Sequence, residues 1–245
     1  MFNRILNNKN IFKLFLAQLM IILLSSCAQN SANKEIHDPL ESMNRSVFKF
    51  NQGLDKYVFR PVNAEYEKLP ENVKKGVSNH ITWVSTPVTI VNSAIQLEAE
   101  NFSTSSIKFL LNSLTLGFYD LDPETKYKTR DFGSSLANYN VSSGPYIVLP
   151  ILGPRSLRHF SGNIADQSVS NGPKNHSYNS TTLPMSILSN RNTYSNVIED
   201  IYNAQDPYLK AKILYTENRF NSISSTKLLE QQEQDEQNEF EKLLD

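Results

Sequence analysis

Proline recurs along this sequence beside residues that suit helix boundaries, so the chain reads as a series of short helices. In Asp38-Pro39-Leu40-Glu41, Asp38 suits the N-cap, Pro39 the first helical position and Glu41 the capping-box position. Leu40, Met43, Val47, Phe50, Leu54 and Val58 follow at spacings of three and four, with Ser42, Arg45, Lys49 and Gln52 opposite, which predicts an amphipathic helix. Arg60-Pro61 ends or breaks it. A second helix is predicted after Pro70, on the stripe Val73, Val77, Ile81 and Val84. Thr86-Pro87 reads as another N-cap and first position, ahead of Val88, Val91, Ala94 and Ile95. A longer helix is expected over Ala99 to Leu116, carrying Phe102, Phe109, Leu110, Leu111 and Leu114, with Gly117 as its stop. From Tyr119 to Pro173, Asp122-Pro123, Gly133, Gly162 and three Gly-Pro pairs predict loops with short extended pieces. Helical patterning returns over Leu183 to Ala204 and from Pro207 to about Ile223, where Asp206 repeats the N-cap logic.

The ends of the chain read differently. Arg4, Lys9 and Lys13 precede an apolar run, Leu14 to Leu24, and then Leu24-Ser25-Ser26-Cys27, so residues 1–26 read as a secretory leader. Cys27 is the only cysteine, which excludes a disulfide within the chain. Leu-Ser-Ser-Cys resembles the lipobox of bacterial lipoproteins, in which the thiol takes a diacylglyceryl group and the new N-terminus an acyl chain. With Cys27 lipidated, residues 27–37 form a flexible tether, and Ala28 resembles the sorting signal for the outer membrane. Residues 38–223 form the helical domain and 224–245 an acidic low-complexity tail; from Lys227 to Asp245 there are seven acids and two bases. Past Cys27 no stretch reaches roughly eighteen consecutive apolar residues, so no further membrane span is expected. A formal net charge of −1 gives no electrostatic case for nucleic acid.

One segment stands out. In "GPYIVLPILGPRSLRH", Gly144 to His159, the apolar run Tyr146 to Leu152 is broken by Pro150, bracketed by two Gly-Pro pairs and followed by Arg155 and Arg158. Proline this dense excludes a helix interior or a central strand. Gly144, Pro145, Gly153 and Pro154 would fix the turn ends of a stiff, hairpin-like loop. No catalytic constellation accompanies it. "GVSNH" and "GSSLA" lack the last glycine of a nucleophile elbow, "DFG" has no phosphate loop, and His37, His80, His159 and His176 have no zinc spacing.

Several strings together, in order, resemble the MlaA (VacJ) family of outer-membrane phospholipid-transport lipoproteins. They are "DPLESMNRSVFKFNQGLDKYVFRPVNAEY", "KKGVSNHITWVSTPVTIVNSAIQ", "KFLLNSLTLGFYDLD", "RDFGSSLANYNVSSGPYIVLPILGPRSLR" and "DPYLKAKILYTENRF", spanning roughly Asp38 to Ile223. The sequence departs from the family at His80, around Gly117, at Asn140, Ser142 and Ser143, and at His159, where the family usually has aspartate.

The resemblance implies a mainly α fold: a ring-like bundle of amphipathic helices, with the loop-rich middle segment, around a central channel. It implies a lipid-anchored protein on the periplasmic face of the outer membrane, seated in the inner leaflet, that passes phospholipid back toward the inner membrane. A trimeric porin and a soluble periplasmic lipid carrier are the implied partners, with no cofactor and no covalent chemistry. Short amphipathic helices suit this, because they can lie in the interface with their apolar faces among acyl chains. Arg155 and Arg158 are the candidates for meeting a headgroup phosphate, since a guanidinium fork pairs well with one. Tyr146, Ile147, Leu149 and Leu152 are the candidate apolar edge of that path. Asn44 and Arg45 support the channel or membrane docking, or simply fix the packing of the first helix. Trp83 is an interface anchor or a core residue. Two other functions remain open: an adaptor lipoprotein that binds a porin and moves no lipid, and a lipid-modifying hydrolase.

Overall fold

The computed structural model describes residues 38–171 and 176–223. The leader, Cys27 with its tether and the acidic tail lie outside the described residues. The first helix, α1 (Glu41–Leu54), runs through a π-helical turn, Asp55–Phe59, into α2 (Arg60–Glu67). Pro61 therefore does not end the helix. It sits in the first turn of α2, where a missing N–H is tolerated, and the π turn before it absorbs the change of register. Asp38 is not the N-cap either: Leu40 holds that position, with no side-chain cap. The Asp38 carboxylate is taken by more distant partners, the Asn44 amide, the Tyr208 hydroxyl and the Lys212 ammonium.

Next come α3 (Glu71–Ile95) and α4 (Ala99–Ser113), which pack side by side as a hairpin. Helix α3 is continuous through Pro87, so Thr86-Pro87 is no start. Thr86 turns its hydroxyl back on the Thr82 carbonyl (2.8 Å) and meets the Tyr127 hydroxyl (2.9 Å), and packing against α4 keeps the helix running. Trp83 stacks on Phe109 (5.5 Å between centroids) and donates its indole N–H to the Ser113 hydroxyl (3.1 Å). Gly117, at φ +75°, closes the end of α4 against it; a Cβ there would lie 2.6 Å from Trp83 Cγ.

The middle segment is not only loop. It contains α5 (Phe132–Asn138), a two-stranded antiparallel hairpin of β1 (Tyr146–Leu149) and β2 (Gly153–Ser156), and α6 (Leu157–Asn171). Two caps explain the helices. Asp131 and Ser134 form a reciprocal capping box on α5, and Ser156 Oγ accepts from the His159 N–H at the start of α6. Helices α7 (His176–Thr193) and α8 (Ser195–Tyr202) occupy the segment expected over Leu183 to Ala204, with α7 beginning earlier. A last helical run, α9, covers 207–223.

Burial is inverted relative to a water-soluble bundle. Among the described residues only seven hydrophobic or aromatic side chains are buried, against eighteen polar or charged ones. Leu40, Met43, Phe50 and Val58 of the predicted stripe are exposed, whereas Asn44, Phe48 and Asp55 face inward. Helix α4 likewise exposes Ile107, Leu110 and Leu111 and buries Ser105 and Lys108. Among the described residues a small apolar core is formed by Phe48, Tyr146, Val148, Tyr208 and Ala211 between α1, the hairpin and α9.

Outside this core most of the described buried polar groups are hydrogen-bonded, with exceptions such as Asn63 Oδ1, the Tyr66 hydroxyl and the Nε atoms of Arg158 and Arg219. Asn92 of α3 donates to Asp166 of α6 (2.9 Å) and accepts from Ser135 of α5 (2.8 Å), while Gln96 donates to Ser134 and Ser135. Buried ion pairs Arg130–Glu98 and Arg191–Asp55 (2.8 Å each) complete it. Buried polar groups this numerous survive only because they are paired.

Candidate functional site

Helix α1 holds the hairpin by its backbone. Asn44, with no accessible surface, donates to the Tyr146 carbonyl (3.0 Å) and accepts from the Val148 N–H (2.9 Å). Asn51, seven residues and two turns later on the same face, repeats the device with the Leu149 carbonyl (2.8 Å) and the Ile151 N–H (2.8 Å). Arg45 points to α9, where it forks onto Asp206 (3.0 and 2.8 Å) and lies over the Tyr208 ring at 4.4 Å. That fork holds the Asp206 carboxyl down at about 2.

Tyr146 belongs to the core: it is 2% exposed, against Tyr208 and Tyr215. Ile147 and Leu149 are half-buried, and Leu152 is exposed beside Ile151 at the hairpin tip. Gly144 and Gly153 take positive φ (66° and 72°), each beside its proline at a hairpin end.

Arg155 and Arg158 converge with two residues from elsewhere in the chain. Arg155 stands opposite Ile147 in the hairpin register and spends one Nη on the carbonyl of Pro154 (2.7 Å). Arg158, in the first turn of α6, donates Nη1 to the Val141 carbonyl, and its buried Nε has no partner. Arg219 of α9 forks onto Asp131 (2.5 and 2.7 Å), leaving its own Nε buried and unpaired. His159 lies parallel to Tyr215, 6.1 Å between centroids, with Nδ1 3.0 Å from the Tyr215 hydroxyl, and that hydroxyl also accepts from the Ser156 N–H. Gly133 lets these groups close up, since a Cβ there would lie 2.9 Å from Arg219 Nη2 and from His159 Cα.

The electrostatics follow from crowding cations into a half-buried space. Burial, reinforced by Arg219, pushes the Arg158 guanidinium down to about 10 and His159 down to about 4. Burial lowers Arg155 in the same way. Burial alone would raise Asp131, but pairing with Arg219 overrides it and holds the carboxyl below its ordinary range. At neutral pH the cluster is three guanidiniums and a neutral imidazole around the Asp131 carboxylate. Asp166, the next acid, spends its oxygens on Asn92 and the Phe132 N–H.

Arg219 was not among the sequence candidates. Tyr208, Lys212, Tyr215 and Arg219 recur at spacings of four, three and four, a polar and aromatic stripe on α9 that points to it. A separate cavity of about 250 Å³ lies between α3, α4 and the following loop, lined by Asn79, Trp83, Lys108, Asp120 and Tyr127 among others. Trp83 borders it, but none of the lipid-path candidates Arg155, Arg158, Tyr146, Ile147, Leu149 and Leu152 does. The serines of "GSSLA" form the buried start of α5, committed to Asp131, Gln96 and Asn92.

A helical chain with polar groups inside and apolar stripes outside belongs to the class of proteins that work at a membrane surface; no described helix is long and apolar enough to cross one. The MlaA lipoprotein family matches residues 36–222, and the chain belongs to that family. A Haemophilus influenzae protein named intermembrane phospholipid transport system lipoprotein MlaA is 28% identical, across 89% of this chain and 92% of that one. A Rickettsia prowazekii protein is 38% identical over 53% of this chain, which spans about half (54%) of that relative's length. A solved structure described as "Structural basis for maintenance of bacterial outer membrane lipid asymmetry" is similar with a TM-score of 0.67 and 26% identity, covering 76% of this chain and 98% of the other.

Proposed function

We propose that this chain is a lipoprotein of the outer membrane that moves phospholipid from there toward the inner membrane and so maintains lipid asymmetry. The work is transport, not catalysis. The observation that carries the reading is the inverted burial of α1 and α4 in a chain of this family, with leucine, isoleucine and phenylalanine outside and paired asparagine, serine and lysine inside. Outward apolar stripes suit acyl chains of the inner leaflet, and a polar interior suits a headgroup on its way through. On this reading the helices form a ring around a central channel, and Cys27 carries the lipid anchor. A trimeric porin covers part of the apolar exterior, and a soluble periplasmic carrier receives the lipid.

Deletion of the gene, followed by measurement of outer-leaflet phospholipid, tests the function. Accumulation there, reversed by the full chain, is the expected result. An unchanged outer leaflet overturns the transport reading.

A further inference from the structure

We infer that Arg155, Arg158 and Arg219 form a seat for a phosphate group, monoester or diester, at the foot of the β-hairpin. Four arginines elsewhere in the described structure serve as an internal comparison. Arg45 pairs with Glu41 and Asp206, Arg60 with Glu199, Arg130 with Glu98, and Arg191 with Asp55 and Glu199. Arg155 and Arg158 are the two described arginines with no carboxylate partner, and they stand in one cluster with a third, Arg219, whose acid is already forked. A guanidinium carries five N–H donors. Arg155 and Arg158 each spend one, on a backbone carbonyl, and the Nε atoms of Arg158 and Arg219 are buried without a partner.

A half-buried cation left uncompensated is costly, and the lowered affinities of Arg155 and Arg158 for their protons express that cost. An incoming oxyanion would relieve it. The forks of Arg155 and Arg158, with the spare Nε–H of Arg219 beside them, fit the several oxygens of a phosphate, while the Arg219 fork itself stays on Asp131. Arg158 lies in the first turn of the fifteen-residue α6, so the dipole of that helix adds to the field, although the Leu157, Arg158 and His159 N–H groups are themselves taken by the Pro145 and Ser143 carbonyls and Ser156 Oγ. The exposed apolar tip, Ile151 and Leu152, belongs to the same hairpin, so a ligand with a phosphate and a hydrocarbon part has surface for both.

A phospholipid headgroup and free phosphate share this chemistry. The lipid source rests on the transport reading; the anion seat rests on the arginines alone. The test uses the full chain in a nonionic detergent, with the arginine Nε–H signals followed by NMR during titration. The probes are dihexanoyl-phosphatidylglycerol, inorganic phosphate and phosphate-free dihexanoylglycerol. Saturable shifts of the Arg158 and Arg219 signals with the phospholipid, absent with dihexanoylglycerol, are expected. The same shifts with inorganic phosphate support a seat open to free anions, and shifts with the lipid alone support a headgroup seat. No saturable shift with either overturns the inference.

The double variant Arg155→Gln/Arg158→Gln is expected to bind about tenfold more weakly or worse, while Arg60→Gln stays within about twofold. If the glutamine variant does not fold, Arg155→Lys/Arg158→Lys keeps the charge but loses the forks. It should still bind several-fold more weakly, and unchanged affinity in either double variant refutes the seat. Outer-leaflet accumulation in the deletion strain together with no binding in these titrations would remove this inference and leave transport standing.

Discussion

The substitution Asn44→Ala should detach the hairpin from α1. Asn44 makes three interactions at full burial: to the Tyr146 carbonyl, from the Val148 N–H, and to Asp38. Asp38 keeps Tyr208 and Lys212, so that loss is partly compensated. The two backbone groups have no such reserve. Each buried group left unpaired costs ~1–3 kcal/mol, and the space of the missing amide adds to it, so about 3–5 kcal/mol is expected. That is a large part of the 5–15 kcal/mol typical of a folded domain. Denaturant unfolding of the full chain in detergent measures the total, and hydrogen exchange at the Val148 amide localises it. Exchange there should approach that of an open strand edge while amides within α3 stay protected. A loss below about 1 kcal/mol with Val148 still protected would refute the clamp.

Two further outcomes follow from the packing and the charges. In Gly162→Ala the new Cβ would lie 2.8 Å from Gly133 Cα and 3.1 Å from the Phe132 carbonyl carbon, so α5 and α6 must part at a cost of about 1–3 kcal/mol; Gly53→Ala, a helical glycine with nothing nearby, should instead gain about 0.5–1 kcal/mol, and thermal melts of the two compare them. His159 falls from its ordinary 6.5 to about 4 among Arg219, Asp131, Arg155, Arg158 and Tyr215, so between those values the unfolded chain binds more protons. Stability from this group is therefore full above pH 6.5 and lost as pH drops to about 4, and melts at pH 7.5, 5.5 and 4.5 should show a decline that His159→Gln flattens; equal slopes would refute it.

Period and caps made much of the helical order legible, and its failures have physical reasons. Asp38 looked like a cap because Asp-Pro usually is one, but three partners from outside its own turn outbid the local N–H. Pro61 and Pro87 looked like boundaries because proline breaks isolated helices; a π turn at the one and packing against α4 at the other carried the chain through. Helices α5 and α6 are obscured by the glycines and prolines of the middle segment, and only their caps, Asp131 with Ser134 and Ser156, signal them in the sequence. In the candidate site, Arg155 and Arg158 were visible beside their apolar run. Arg219 was not, because its place depends on α9 packing back on Asp131 across 88 residues of sequence. The clamp role of Asn44 was equally hidden, since nothing local shows that the Val148 amide will arrive there.

The inverted burial also sets how this protein responds to temperature. The heat capacity of unfolding rises with the apolar area newly wetted and falls with the polar area released. Here Met43, Phe50, Ile107 and Leu110 of α1 and α4 already lie outside, while asparagine, serine and arginine make up much of what unfolding uncovers. The stability curve in water is therefore flatter than that of a water-soluble bundle of equal length, with little cold sensitivity and a shallow optimum. Its dependence on temperature is handed to whatever covers the outer stripes.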